Sequence, residues 1–250
     1  MRKSLKYFKP AELVIWIVAS VTITAAFFVL GNHNYHYLIG ALIGVSALVF
    51  VSKGNPVGQI LTIVFAVFYG IISFTYSYYG EMITYLGMSA PMALAAFIAW
   101  IRNPYKKGES EVKVIVLSKR ERIIFPIVGA IVTAAFYFIL RALGTANLAV
   151  STLSVLTSFL AAYLTLRRNR FYAVAYAAND VVLIAMWVLA AIEDITYLPM
   201  IICFVAFLVL DVYGFINWSR MLKRQSLRQD SFRDKEERKG SGKETEFENK

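Results

Sequence analysis

Eight apolar runs of about 20 residues divide this chain, at positions 11–30, 37–52, 57–78, 82–101, 122–143, 147–166, 171–192 and 195–218. A helix of that length rises about 30 Å, the thickness of a bilayer's hydrocarbon core. The pattern predicts an all-α integral membrane protein with eight transmembrane helices. The first run follows Arg2, Lys3, Lys6 and Lys9, as the core of a signal peptide would. It is longer than such a core and has no A-x-A site before Gly31, so it is read as a retained helix.

Composition agrees with that reading. Of the 250 residues, 58% are hydrophobic and 17% charged, too apolar a balance for a domain with a solvated surface. The formal charge of +10 does not point to nucleic acid, because the basic residues sit in the loops between apolar runs and form no aromatic-interleaved patch. One cysteine, Cys203, excludes an intrachain disulfide and a C-x-x-C site.

The loops give the orientation. With the N-terminus inside, 25 of the 26 Lys and Arg fall on the cytoplasmic side, and only Arg141 lies at an outer edge. Both termini are therefore expected in the cytoplasm and the protein in the cell membrane, an inner or plasma membrane. An odd number of spans would break this bias. Past Leu222 the chain turns to Lys, Arg, Glu, Gln and Ser, and 223–250 is expected to be a disordered, solvated cytoplasmic tail.

One pattern occurs twice. Phe97-Ile98-Ala99-Trp100-Ile101-Arg102 and Phe215-Ile216-Asn217-Trp218-Ser219-Arg220 share F-I-x-W-x-R, 118 positions apart, each closing an apolar run where basic residues begin. A Trp at the interface and an Arg at the cytoplasmic edge place both copies at the same face, on helices running the same way. Helices two to four and six to eight then form parallel three-helix bundles, and helix five is the linker that turns the chain around. This 3+1+3 plan, with one extra N-terminal helix, divides the chain into 1–36, 37–104, 105–146, 147–222 and 223–250. Parallel repeats about an axis along the membrane normal are a transporter plan with the substrate site near the midplane.

Charged groups inside a bilayer are costly and tend to face a protein cavity. Two acids meet that description, Asp180 and Asp211. On helix seven, Tyr176, Asn179, Asp180, Leu183 and Trp187 share one face, a stripe suited to a neutral or cationic planar ring carrying hydroxyls. The same residues could instead bond to neighbouring helices. Further candidates for substrate binding are Asn147 at the outer end of helix six, Gln59 and Tyr76 on helix three, and Asn217 on helix eight. The remaining hydroxyls of helix six suit close packing. His33 and His36 lack a nearby acid or Cys, and no P-loop, G-x-S-x-G or H-E-x-x-H occurs. No cofactor, no metal site and no enzymatic activity are expected.

The Asn179-Asp180 pair, the Tyr213-Gly214-Phe215-Ile216-Asn217-Trp218 segment, and the Trp100-x-Arg102-Asn103-Pro104 junction before a Glu/Lys/Val-rich loop give this chain a likeness to a known family. From about 37 to 222 it resembles the PnuC family of nicotinamide riboside transporters. The resemblance implies a fold similar to the SWEET sugar transporters and a homotrimer in the lipid bilayer. It also implies uptake of nicotinamide riboside by facilitated diffusion, with trapping by a separate cytoplasmic riboside kinase. Thiamine or riboflavin, carried by related proteins, stay open as substrates, as does a membrane receptor or enzyme that recruits a partner through its tail.

Overall fold

The structure, a computed structural model, describes residues 7–30, 35–106 and 108–248, with side chains through Gln229. His33 and the rest of 31–34 lie outside the described residues. Eight helices there are long and apolar enough to cross a membrane. They are α1 (Pro10–Leu30), α2 (Tyr35–Ser52), α3 (Val57–Thr75), α4 (Tyr79–Arg102), α5 (Lys119–Ala142), α6 (Leu148–Leu166), α7 (Tyr172–Glu193) and α8 (Leu198–Glu248).

Two boundaries depart from the sequence expectation. Helix α4 starts three residues early, drawing Tyr79, Gly80 and Glu81 out of the supposed outer loop, and Glu81 is fully buried. Its middle, Thr84–Ser89, is a π-turn in which Ala90 N donates to Tyr85 O. Pro91 stands just beyond it, with no N–H to donate and a ring that clashes with the carbonyl four residues back, and the wider turn accommodates both defects. At the other end, α8 continues through Glu248, into the segment expected to be disordered. Lys, Arg, Glu and Gln are strong helix formers, so a helix already started by α8 can propagate through them. The first turns beyond Leu222 are also anchored: Gln225 is buried.

The packing has a twofold character. Helix α2 packs on α3 and α8, while α6 packs on α7 and α4; exchanging the two bundles turns one set of contacts into the other. Hydrogen bonds repeat the relation residue by residue. Trp218 Nε1 donates to Val51 O at 2.9 Å, and Trp100 Nε1 to Thr165 O at 3.0 Å, each reaching from one bundle to the last turn of the other's first helix. The turns after those helices match as well. Gly54 and Arg168 both adopt positive φ, 66° and 56°. Asn55 Oδ1 accepts from Val57 N, as Asn169 Oδ1 does from Phe171 N.

The likeness extends to the helix that precedes each bundle. Helix α1 carries Glu12 at its third residue and α5 carries Glu121 at its third. Glu12 pairs with Lys53 at 2.7 Å, Glu121 with Arg167, and both cations follow the first helix of a bundle directly. The linker helix and the extra N-terminal helix thus do the same local work, pinning the end of the following helix. Of the two, α5 is far more exposed, burying only Gly129 and Leu140 along its length.

The segment between α4 and α5 crosses the basic face. Val112 N donates to Gly54 O and Ile115 N to Arg168 O, so this one strap bonds both matched turns. It is tied down by Gln225 of α8, which accepts from Val114 N at 2.9 Å and donates to Val112 O at 3.1 Å.

Candidate functional site

Between the bundles lies a cavity of about 50 Å³. The first bundle contributes Gly44 and Leu48 from α2, Gln59, Thr62 and Phe65 from α3, and Tyr85 and Ser89 from α4. The second contributes Ser158 and Thr165 from α6, Tyr176, Asn179 and Asp180 from α7, and Phe207 and Asp211 from α8. All six repeat helices reach it. Gly44 is needed where it stands, since a Cβ there would lie 2.4 Å from the Phe207 ring.

The polar groups are held in defined poses. Asn179, 1% exposed, has its Oδ1 within 2.7 Å of the Thr157 hydroxyl and 3.0 Å of the Ser158 hydroxyl. Its carbonyl end is therefore fixed by α6, and its amide nitrogen is the end left to donate. This accounts for two of the hydroxyls on α6 in a way that packing alone does not. Gln59 is buried with its Nε2 unpartnered, and Asp180 has its Oδ2 unpartnered. Asp180 and Asp211 face each other at interacting distance. No Lys, Arg or His is among the residues lining the cavity. Buried polar groups without partners in a protein interior are few, and two of the cavity's side chains, Gln59 and Asp180, each keep one atom free.

Aromatic layers lie to either side of the cavity along the helices. Toward the basic face, Trp100, Trp218 and Tyr172 pack together, Trp218 lying 5.4 Å from Trp100 and 4.8 Å from Tyr172 between ring centroids. Toward the opposite face, Trp187 donates from Nε1 to the Tyr69 hydroxyl at 3.0 Å and is flanked edge-on by Tyr76, Tyr78 and Tyr197.

The sequence-derived candidates therefore separate. Gln59, Tyr176, Asn179, Asp180 and Asp211 come together at the cavity. Trp187 and Tyr76 belong to the aromatic layer above it, and Asn147 joins that layer through a 3.5 Å contact from Nδ2 to the Tyr78 hydroxyl. Asn217 points to the basic face, where its Nδ2 donates to Ser52 O at 2.8 Å and its Oδ1 accepts from Lys9 Nζ at 3.1 Å. The face shared by Asn179 and Trp187 is real, but two helical turns carry the Trp ring out of reach of the cavity.

Sequence reasoning missed Tyr85, Phe65 and Phe207, ordinary-looking aromatics in apolar runs. It also missed two buried acids. Glu12, 2% exposed, receives Lys53 Nζ, Lys9 N and the Tyr213 hydroxyl. Glu81 accepts from the Ser154 hydroxyl and keeps Oε2 unpartnered. Glu81 seemed to lie in a loop only because the helix was started one residue after it.

Comparison with known proteins places this arrangement in a family. The family model described as nicotinamide mononucleotide transporter matches residues 34–220, which leaves α1 outside it. The chain is 27% identical over 217 residues to the nicotinamide riboside transporter PnuC of Neisseria mucosa, covering 85% of this chain and 82% of that protein. It is 24% identical over 217 residues to the nicotinamide riboside transporter PnuC of Haemophilus influenzae, covering 86% of this chain and 92% of that one. Among solved structures, the crystal structure of the vitamin B3 transporter PnuC has the same fold, with a TM-score of 0.77 at 24% identity over 87% of this chain and 94% of its own. The eight-helix fold, the paired bundles and the match along residues 34–220 agree: the chain belongs to the nicotinamide mononucleotide transporter family, a family of membrane transporters and not of enzymes.

Proposed function

We propose that this protein carries nicotinamide riboside across the membrane through the cavity between its two bundles. The observation that carries the choice of substrate is the charge of the cavity wall. Two carboxyls line it and no cationic side chain does. A mononucleotide would bring a phosphate, which proteins recognise with Arg, Lys or clustered N–H donors. The riboside has no phosphate; it offers a carboxamide and ribose hydroxyls for Asn179 and Gln59, and a cationic ring for the carboxyls and aromatic faces. The two PnuC relatives carry the riboside's name, which supports the same choice.

A cavity of about 50 Å³ has room for a few waters, against about 300–1,000 Å³ for a ligand pocket. The structure therefore represents a contracted arrangement, and the riboside enters as the bundles part. The basic face is the cytoplasmic one, supported by the Lys and Arg bias, so both termini are cytoplasmic. Transport is by facilitated diffusion, with phosphorylation by a separate riboside kinase holding the substrate inside. The protein works as a homotrimer, which the largely unburied apolar surface of α5 can accommodate.

Labelled nicotinamide riboside should equilibrate into vesicles containing the purified protein without ATP or an ion gradient, and unlabelled riboside should compete better than the mononucleotide, thiamine or riboflavin. Absence of riboside flux, or stronger competition by one of the others, would refute the assignment.

A further inference from the structure

We infer that Asp180 and Asp211 are the residues that read the fixed positive charge of the substrate ring and so set the carrier's preference for the oxidised, pyridinium form. The inference rests on the riboside reading above. Both carboxyls are buried, at 4% and 3% exposure, and they face each other across adjacent helices of one bundle. Neither has a cationic partner: the four ion pairs among the described residues involve Glu12, Glu109, Glu121 and Glu111. Asp180 Oδ2 has no hydrogen-bond donor either. A structural carboxyl at this depth is expected to have its oxygens satisfied or its charge paired. This pair has no cation to balance it and interacts only with itself, Asp180 keeps Oδ2 unpartnered, and both carboxyls border the cavity between the two bundles.

The opposite wall is complementary. Gln59, Thr62, Phe65 and Leu48 of the first bundle carry no charge, and the aromatic rings of Phe65 and Tyr85 line the cavity beside them. A cationic ring lying between the two walls would have carboxyls on one side and aromatic surface on the other, both attractive to positive charge in a medium of low dielectric. Asn179 precedes Asp180 on α7, so the two side chains are rotated about 100° from each other and reach different parts of one ligand. The amide can bond a carboxamide or hydroxyl while the acid addresses the ring.

The chemistry of the ligand makes this testable. In nicotinamide riboside the ring nitrogen is bonded to the sugar and its charge is independent of pH. Reduction to the dihydro form removes the charge and keeps the carboxamide and ribose. Titration calorimetry of the purified protein with each form should show the pyridinium riboside binding about tenfold or more tightly than the dihydro riboside. Asp180→Asn and Asp211→Asn should each weaken the charged ligand and leave the neutral one nearly unchanged, bringing the two toward parity. Equal binding of the two forms by the parent protein would overturn the inference while leaving the riboside assignment intact, and it needs no variant to fold. A preference that survives in the two variants would overturn it as well. Binding of neither form would overturn the assignment and the inference together.

Discussion

Trp100 and Trp218, 118 positions apart in the chain, meet with ring centroids 5.4 Å apart, and each sends its indole N–H to a carbonyl of the opposite bundle. The repeated F-I-x-W-x-R pattern is thus the seam of the molecule at its basic face, with both rings fully buried. A Trp at a membrane interface usually anchors the helix to headgroups. These two anchor the bundles to each other. Replacing either with Phe keeps most of the ring and removes one of the carbonyl's two donors, since Val51 O also accepts from Gly54 N and Thr165 O from Arg168 N, at a cost of about 0.5–1.5 kcal/mol. Because the two rings touch, the double variant should deviate from additivity, which thermal unfolding in detergent would reveal.

The matched acids of α1 and α5 should not be equally important. The side chains of Glu12 and Lys53 are 1% and 11% exposed, those of Glu121 and Arg167 22% and 40%. Removing one partner of a buried pair costs about 3–5 kcal/mol, whereas exposed pairs contribute about 0–1 kcal/mol. Glu12→Gln is therefore expected to lower the unfolding temperature clearly and Glu121→Gln only slightly. Equal shifts would mean that the pairs, though matched in position, are not distinguished by burial.

Gln225 fixes the strap at the basic face from a segment that composition alone assigns to solvent. Gln225→Ala strips Val114 N and Val112 O of their partners, and hydrogen exchange in 111–117 should speed up. A chain ended after Gln229 should retain slow exchange there, and one ended after Leu222 should lose it. Unchanged exchange in the shorter chain would show that the strap holds without Gln225.

Hydropathy and Lys/Arg placement made the eight spans and the repeat legible, because both report where a helix meets lipid and water. Convergence is another matter. Apolar runs look alike whether a ring faces lipid or a cavity, so Phe65, Tyr85 and Phe207 carried no distinguishing mark. Asn179 and Asp180 did stand out, since a polar side chain in a span needs a reason. Trp187 was misleading because a shared helical face says nothing of depth along the helix. Glu12 and Glu81 escaped notice near span ends, where an acid is ordinarily solvated; here Lys53 and Tyr213 cover the first and Ser154 the second. The strap was unreadable, since its role depends on two turns and a helix end distant in sequence.

The central claim, that the cavity between the bundles is the riboside site, is tested most directly at Asn179. Its oxygen is held by Thr157 and Ser158, so its amide nitrogen is the end left to donate. Asn179→Ala should lower riboside affinity about tenfold to a hundredfold in equilibrium binding, because a ligand group buried without its partner costs about 1–3 kcal/mol. Asn103→Ala, at the basic face with its Nδ2 bonded to Ala99 O, is the control and should bind like the parent. Should a folded Asn179→Ala protein also bind riboside like the parent, the substrate does not occupy this cavity.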